Sequence, residues 1–248
     1  MSLLDKLPLV LILYVALLFS LCIHEASHAT AAFWLKDDTA KRQGRMTLNP
    51  IAHISLWGTV VFPLLGFMTG WPFIGWAKPV PVDPRNLAMK NKRLGYAIVS
   101  AAGPASNLIQ AAIFLPLAVL LAKAYSQGSP EMGGAILQAG LNLDLNLLRG
   151  FGLGPGQMVL VMLASALFLI NLMLAFFNMI PVGPLDGGGV IRGLLPWRLL
   201  PKWDKAQPYM VVVLLILVLT PLGNFVFAPV FWVANAAIHP VSRLILGV

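Results

Sequence analysis

Two histidines and a glutamate, written His24-Glu25-Ala26-Ser27-His28, close an apolar run from Leu7 to Ile23. Residues four apart share a helix face, so His24 and His28 can offer imidazole nitrogens to one cation while Glu25 lies beside them. That geometry fits hydrolysis at zinc, with the glutamate taking a proton from the attacking water. Ionisable groups in hydrocarbon are costly unless they face a protein-lined cavity or bind something. The competing reading, in which all three bond to neighbouring helices, needs a partner for each of them.

A catalytic zinc commonly takes three protein ligands, so a further donor must come from elsewhere in the chain. Asp186 is the candidate, in Asn178-Met179-Ile180-Pro181-Val182-Gly183-Pro184-Leu185-Asp186-Gly187, directly after a second apolar run over 157–177. His24 stands about 25 Å along its helix, near one membrane face, and the charged loops end the 157–177 run at that same face. Asp186 reads equally as a turn residue before glycine. Asn107 and Asn178, near the same depth, are candidates for stabilising an oxyanion or for interhelical hydrogen bonds. His53 is a candidate for a role near the site or a loop residue satisfied locally. Cys22 is about 200° around the helix from His24 and is read as packing.

The elements that hold these residues are membrane elements. The chain is 58% hydrophobic and 10% charged, with a mean hydropathy of +0.82, which is too apolar for 248 residues to bury in one soluble core. The fold class is therefore an all-α polytopic membrane protein with about four to six transmembrane helices, forming a single domain over 1–248. Leu7–Leu35, Tyr96–Ala122, Gln157–Phe177 and Tyr209–Leu219 with its flanks are the clearest spans. Leu222–Val248 carries Pro229 and Pro240 and is expected to lie partly in the interface. Ile54–Phe73 is broken by Gly58, Pro63, Gly66, Gly70 and Pro72, and is expected to re-enter rather than cross. Gly75–Pro84, with Pro79, Pro81 and Pro84, is expected to be extended. It could hold an unwound substrate by strand addition or serve only as a stiff loop. Trp71 and Trp76 also fit interfacial anchoring.

Net charge is +8, gathered in loops after Leu35, before Tyr96 and after Gly189. The positive-inside rule puts all three in the cytoplasm and 123–156 outside. The same distribution explains the basic charge through lipid and argues against a nucleic-acid partner. The first apolar run enters the motif without a cleavage site, so it is expected to remain in the mature chain. The lone Cys22 excludes an intramolecular disulfide.

Taken together, the motifs resemble the site-2 protease family of intramembrane zinc metalloproteases, in its compact prokaryotic form without a PDZ insertion. The likeness rests on His24-Glu25-x-x-His28, Arg45-Met46-Thr47-Leu48-Asn49-Pro50 with His53, Gly75-Trp76-Ala77-Lys78-Pro79-Val80-Pro81, Gly103-Pro104-Ala105-Ser106-Asn107 and Pro184-Leu185-Asp186-Gly187. Ser55 and Gly183 depart from the family pattern, at positions where aspartate and proline are usual. The resemblance implies that His24, His28 and Asp186 bind one Zn2+ per chain, with Glu25 as general base and then proton donor to the leaving amine. It implies cleavage of transmembrane protein substrates within a prokaryotic cell membrane, near the cytoplasmic side, in regulated intramembrane proteolysis. A regulatory membrane partner or a homo-oligomer is compatible with it. A metal transporter or sensor using the same three ligands is the alternative, and Leu9–Phe19 offers it no carboxylate or histidine for a path.

Overall fold

The structure is a computed structural model that describes residues 3–69, 75–220 and 222–247. It is built from helices α1 (Leu3–Trp34), α2 (Thr39–Arg42), α3 (Phe62–Thr69), α4 (Lys92–Tyr125), α5 (Pro130–Leu141), α6 (Leu145–Gly150), α7 (Pro155–Asn178), α8 (Asp186–Leu194), α9 (Leu200–Leu219) and α10 (Gly223–Leu246). No strand occurs among the described residues. Four helical stretches there are long and apolar enough to cross a membrane: Leu7–Trp34, Lys92–Tyr125, Pro155–Asn178 and Gly223–Leu246. The last differs from expectation, since α10 runs through Pro229 and Pro240 instead of stopping at them. Proline is tolerated in such helices where neighbours satisfy the freed carbonyls. Tyr209–Leu219 is only the apolar end of α9, whose start carries Lys202, Asp204 and Lys205. That end covers about 16 Å, short of a hydrocarbon core about 30 Å thick.

The described chain forms two compact units. One comprises Met1–Ser20, Leu108–Met173 and Pro229–Val248. In it, Leu7, Leu11, Val15 and Phe19 recur every fourth residue of α1 and are exposed, while Ile12, Ala16 and Leu17 are buried. A helix with apolar side chains on both faces suits a lipid surround rather than water. Its interior is close-packed: a Cβ at Gly140 of α5 would run into Val161 and Ser165 of α7. Ser129 and Asp144 cap α5 and α6 by accepting from the amides of Met132 (3.1 Å) and Leu147 (2.9 Å). Such caps contribute about 1 kcal/mol each.

The other unit comprises Leu21–Asn107 and Leu174–Ala228. Alanines 31 and 32 of α1 pack with Leu87 and Val99, against partly buried Leu35, Val82 and Tyr96. Buried Asp37 accepts from the amides of Thr39 (3.1 Å) and Asp83 (2.7 Å) and from Asn86 (3.2 Å). Burial pushes the Asp37 carboxyl up, but these donors and the Thr39 hydroxyl outweigh it and hold it below its ordinary value. Nearby, the Arg85 fork brings half-buried Asp83 down to about 2.

The 54–84 region leaves and returns at one place. A wide π-type turn, Leu56–Val61, leads into α3. The Trp76 amide then donates back to the Gly58 carbonyl at 3.1 Å, and its ring lies 5.2 Å from that of Phe62. Gly70, Trp71 and Pro72 lie outside the described residues. From Gly75 to Asp83 the backbone has no helical turn, in line with its proline spacing.

Candidate metal centre and active site

The last turns of α1 carry His24, Glu25 and His28, all buried. The two imidazoles meet edge to face, 4.7 Å between centroids, with their Nε2 atoms 3.1 Å apart. Asp186 is the first residue of α8, where the helix dipole favours a carboxylate. Its Oδ2 lies 3.1 Å from His24 Nε2 and its Oδ1 3.3 Å from His28 Nε2. One ligand atom from each of the three lies within 4.8 Å of the others.

Second contacts decide which nitrogen each ring presents. His24 Nδ1 lies 2.6 Å from Asn107 Oδ1, and His28 Nδ1 lies 2.7 Å from the Val99 carbonyl. A carbonyl oxygen can only accept, so each Nδ1 carries the proton and donates. Each ring therefore turns Nε2 toward the other and toward Asp186, where a deprotonated Nε2 presents its lone pair. Two lone pairs and a carboxylate at such distances repel one another unless a cation lies among them. Asp186 Oδ2 is buried without a hydrogen-bond partner, an orphan that a cation would satisfy. The donor set, two imidazoles and a carboxylate, is one that zinc accepts, and hydrogen bonding of the outer ring nitrogens is the usual way such ligands are oriented.

Close approach of three helices makes this possible. A Cβ at Gly103 of α4 would collide with both imidazoles. A Cβ at Gly189 of α8 would meet Ser100 and Tyr96, and one at Gly193 would meet Ala97 and the Arg93 carbonyl. Gly189 and Gly193, one turn apart, thus let α8 lie against α4 and bring Asp186 to the histidines.

Glu25 Oε2 accepts from the Val80 amide at 2.9 Å, and Oε1 makes no hydrogen bond to the described residues. A cavity of about 620 Å³ opens beside these groups, lined by His24, Glu25, His28 and Asp186 together with Tyr96 and Asn178. Its extended wall is held along one edge at alternate residues. The amides of Trp76, Lys78 and Val80 donate to the Gly58 carbonyl, the His53 carbonyl (2.9 Å) and Glu25, while buried Arg45 donates to the Lys78 carbonyl at 2.6 Å.

The three further candidates lie in different positions. Asn107 is fully buried behind His24. Asn178 lines the cavity, with its side-chain amide donating to the Leu174 carbonyl at 3.0 Å. His53 donates from Nε2 to the Thr47 carbonyl at 2.8 Å, behind the extended wall rather than in the cavity lining. Sequence reasoning passed over the Val99 carbonyl and the Val80 amide, because backbone groups leave no mark in a sequence. It also passed over Asp37, and it named Arg45 as the first residue of a family motif, without the contact to Lys78.

The model of peptidase family M50 matches residues 12–221. Among curated proteins, the chain is 37% identical over 217 residues to "Putative zinc metalloprotease YwhC" of Bacillus subtilis, covering 88% of this chain and 84% of that one. It is 29% identical over 220 residues to "Putative zinc metalloprotease Rip2" of Mycolicibacterium smegmatis, covering 87% and 70%. No solved structure matches. With its HExxH helix, its distant aspartate and a family model spanning most of its length, the chain belongs to peptidase family M50, the site-2 protease family.

Proposed function

We propose that this protein is a zinc-dependent endopeptidase that hydrolyses peptide bonds in membrane-spanning segments of other proteins, with one zinc per chain held by His24, His28 and Asp186. The observation that carries this reading is the convergence of two Nε2 lone pairs and the Asp186 carboxylate beside Glu25, at the edge of a cavity. When bound, zinc supplies Lewis acidity that polarises a carbonyl and brings the pKa of water toward about 7.

The chain's own residues do the rest. Asn107 and the Val99 carbonyl keep the two imidazoles in the tautomer that binds. Val80 fixes Glu25 by one oxygen, and the other takes a proton from the attacking water. As the water oxygen bonds to the scissile carbon and the C–N bond breaks, Glu25 returns that proton to the leaving amine nitrogen. Asn178, in the cavity wall, is the better placed of the two asparagines to meet an oxyanion, since Asn107 is occupied with His24.

A helical substrate must unwind before its carbonyls can be attacked, and its freed amides then need acceptors. The extended wall answers that need unevenly. With 76, 78 and 80 bonded inward, the other edge belongs to 77, 79 and 81, of which only Ala77 has an N–H. That edge has one donor, and its free acceptors are the carbonyls of Ala77 and Pro81, since Arg45 reaches that of Pro79 at 3.4 Å. It suits an unwound segment presenting amides, and it protects the wall from pairing with stray strands.

The basic loops support a site toward the cytoplasmic side of a prokaryotic cell membrane, with the bilayer as its surround and a transmembrane protein as substrate. Family membership favours hydrolysis over metal transport. The test is Glu25→Gln in the purified protein, with zinc content and cleavage of a transmembrane substrate measured side by side. Retained zinc with cleavage reduced at least 100-fold is expected, as general-base catalysis contributes roughly 10²–10⁴-fold. Undiminished cleavage would remove Glu25 from the chemistry.

A further inference from the structure

Beside the catalytic cavity lies a second hollow of about 400 Å³, whose lining includes Lys92, Arg93, Arg192, Val82, Tyr96 and Gly193. Val82 and Tyr96 line both hollows. Three of its side chains are cations held by neighbours. Arg192 forks onto Asp204 at 2.9 and 3.0 Å, and Arg93 donates to the Leu195 carbonyl at 3.0 Å. Lys92 donates to the carbonyls of Arg85 and Leu87. Five N–H groups on each arginine and three on the lysine leave every one of them with donors to spare. The nearby carboxylates are already engaged, Asp204 by Arg192 and Asp83 by Arg85.

Lys92 and Arg93 also stand in the first turn of α4, which contains no acidic residue. The helix dipole places partial positive charge there, so two cations in that turn weaken the helix unless an anion offsets them. The same turn begins a candidate membrane span, the level at which headgroup phosphates lie.

We propose that this hollow binds a phosphate-bearing anion, bridging Lys92 and Arg93 of α4 to Arg192 of α8. The anion is either the headgroup of an acidic phospholipid or free phosphate. Its position carries a consequence for the neighbouring site. Gly193 and Gly189 rest on α4 at Ala97, Ser100 and Tyr96, so an anion shared by the two helices tightens the contact that delivers Asp186.

The test uses the full chain in neutral detergent micelles, titrated separately with short-chain phosphatidylglycerol, short-chain phosphatidylcholine and inorganic phosphate while the thermal midpoint is followed. A saturable rise with phosphatidylglycerol but not phosphatidylcholine identifies a lipid headgroup. A saturable rise with inorganic phosphate identifies a free anion, and either sustains the proposal. Arg93→Gln with Arg192→Gln should weaken the apparent affinity about 25-fold, from roughly fivefold per cation near a membrane surface. Lysine at both positions should restore most of it, and Arg198→Gln, outside the hollow, should leave it unchanged. Midpoints without additive report folding, and the two single glutamine variants carry the test if the double variant unfolds. No saturable rise with either anion, or equal responses in wild type and glutamine variants, would overturn the proposal.

Discussion

The two compact units are held together by different means. In the unit that contains most of α7, helices meet through small residues and buried apolar side chains. Gly140 on Val161, and Ala118, Val119 and Ala122 buried along α4, are typical. In the unit that contains the HExxH turns, loops are fastened by hydrogen bonds reaching far along the chain: Asp37 to the Asp83 amide, Arg45 to Lys78, Val80 to Glu25. The first is ordered by packing, the second by polar bonds whose geometry is specific. The lesson is that substitutions in the two units should fail differently, one set losing stability and the other losing the site.

The largest separation is expected from Asn107→Ala. It frees the outer nitrogen of His24 without opening an apolar cavity of comparable size, and removal of such a partner typically costs 10–100-fold in metal affinity. Chelator competition on the folded protein should show that loss, in addition to the roughly 1–3 kcal/mol of stability that an unpaired buried donor costs in metal-free buffer. An unchanged affinity would mean that His24 needs no orienting partner.

Gly140→Val probes the packed unit. Overpacking of this kind costs about 1–3 kcal/mol, read as a lower denaturation midpoint, while zinc affinity of the folded fraction should match wild type. A loss of affinity without a loss of stability would break the contrast between the units.

How much of this was legible in the sequence follows the same division. The packed unit announces itself through apolar runs long enough to span, and α1, α4 and α7 lie where those runs fall. α10 was harder to read because prolines 229 and 240 look like helix breaks, a cost that is bearable where neighbouring groups satisfy the freed carbonyls. Around the site, the spacing of His24 and His28 and the matched depth of Asp186 could be read, because helical geometry alone converts sequence distance into position. The wall over 75–83 could be read only as extended. What fixes it, the meeting of Trp76 with Gly58 and the buried Arg45, depends on contacts across the chain that no local pattern encodes.

The smallest effect should come from Asp37→Asn. Its folded carboxyl lies below the ordinary 3.8. The stability it contributes is therefore fully present above that value and is lost as pH falls through the depressed folded one. The substitution should lower stability by about 1.5 kcal/mol near neutrality, the low end of what hydrogen bonds to a charged group contribute. The gap from wild type should close as acid titrates the wild-type carboxylate. A pH-independent difference would show that the side chain acts by shape alone.

The most direct measurement is the zinc content of purified wild type against Asp186→Ala, taken by elemental analysis on protein shown to be folded. One zinc per wild-type chain is expected, and a loss of most of it in the variant, because two imidazoles alone leave the set one donor short. Stoichiometric zinc in Asp186→Ala, or none in wild type under zinc-replete conditions, would contradict it.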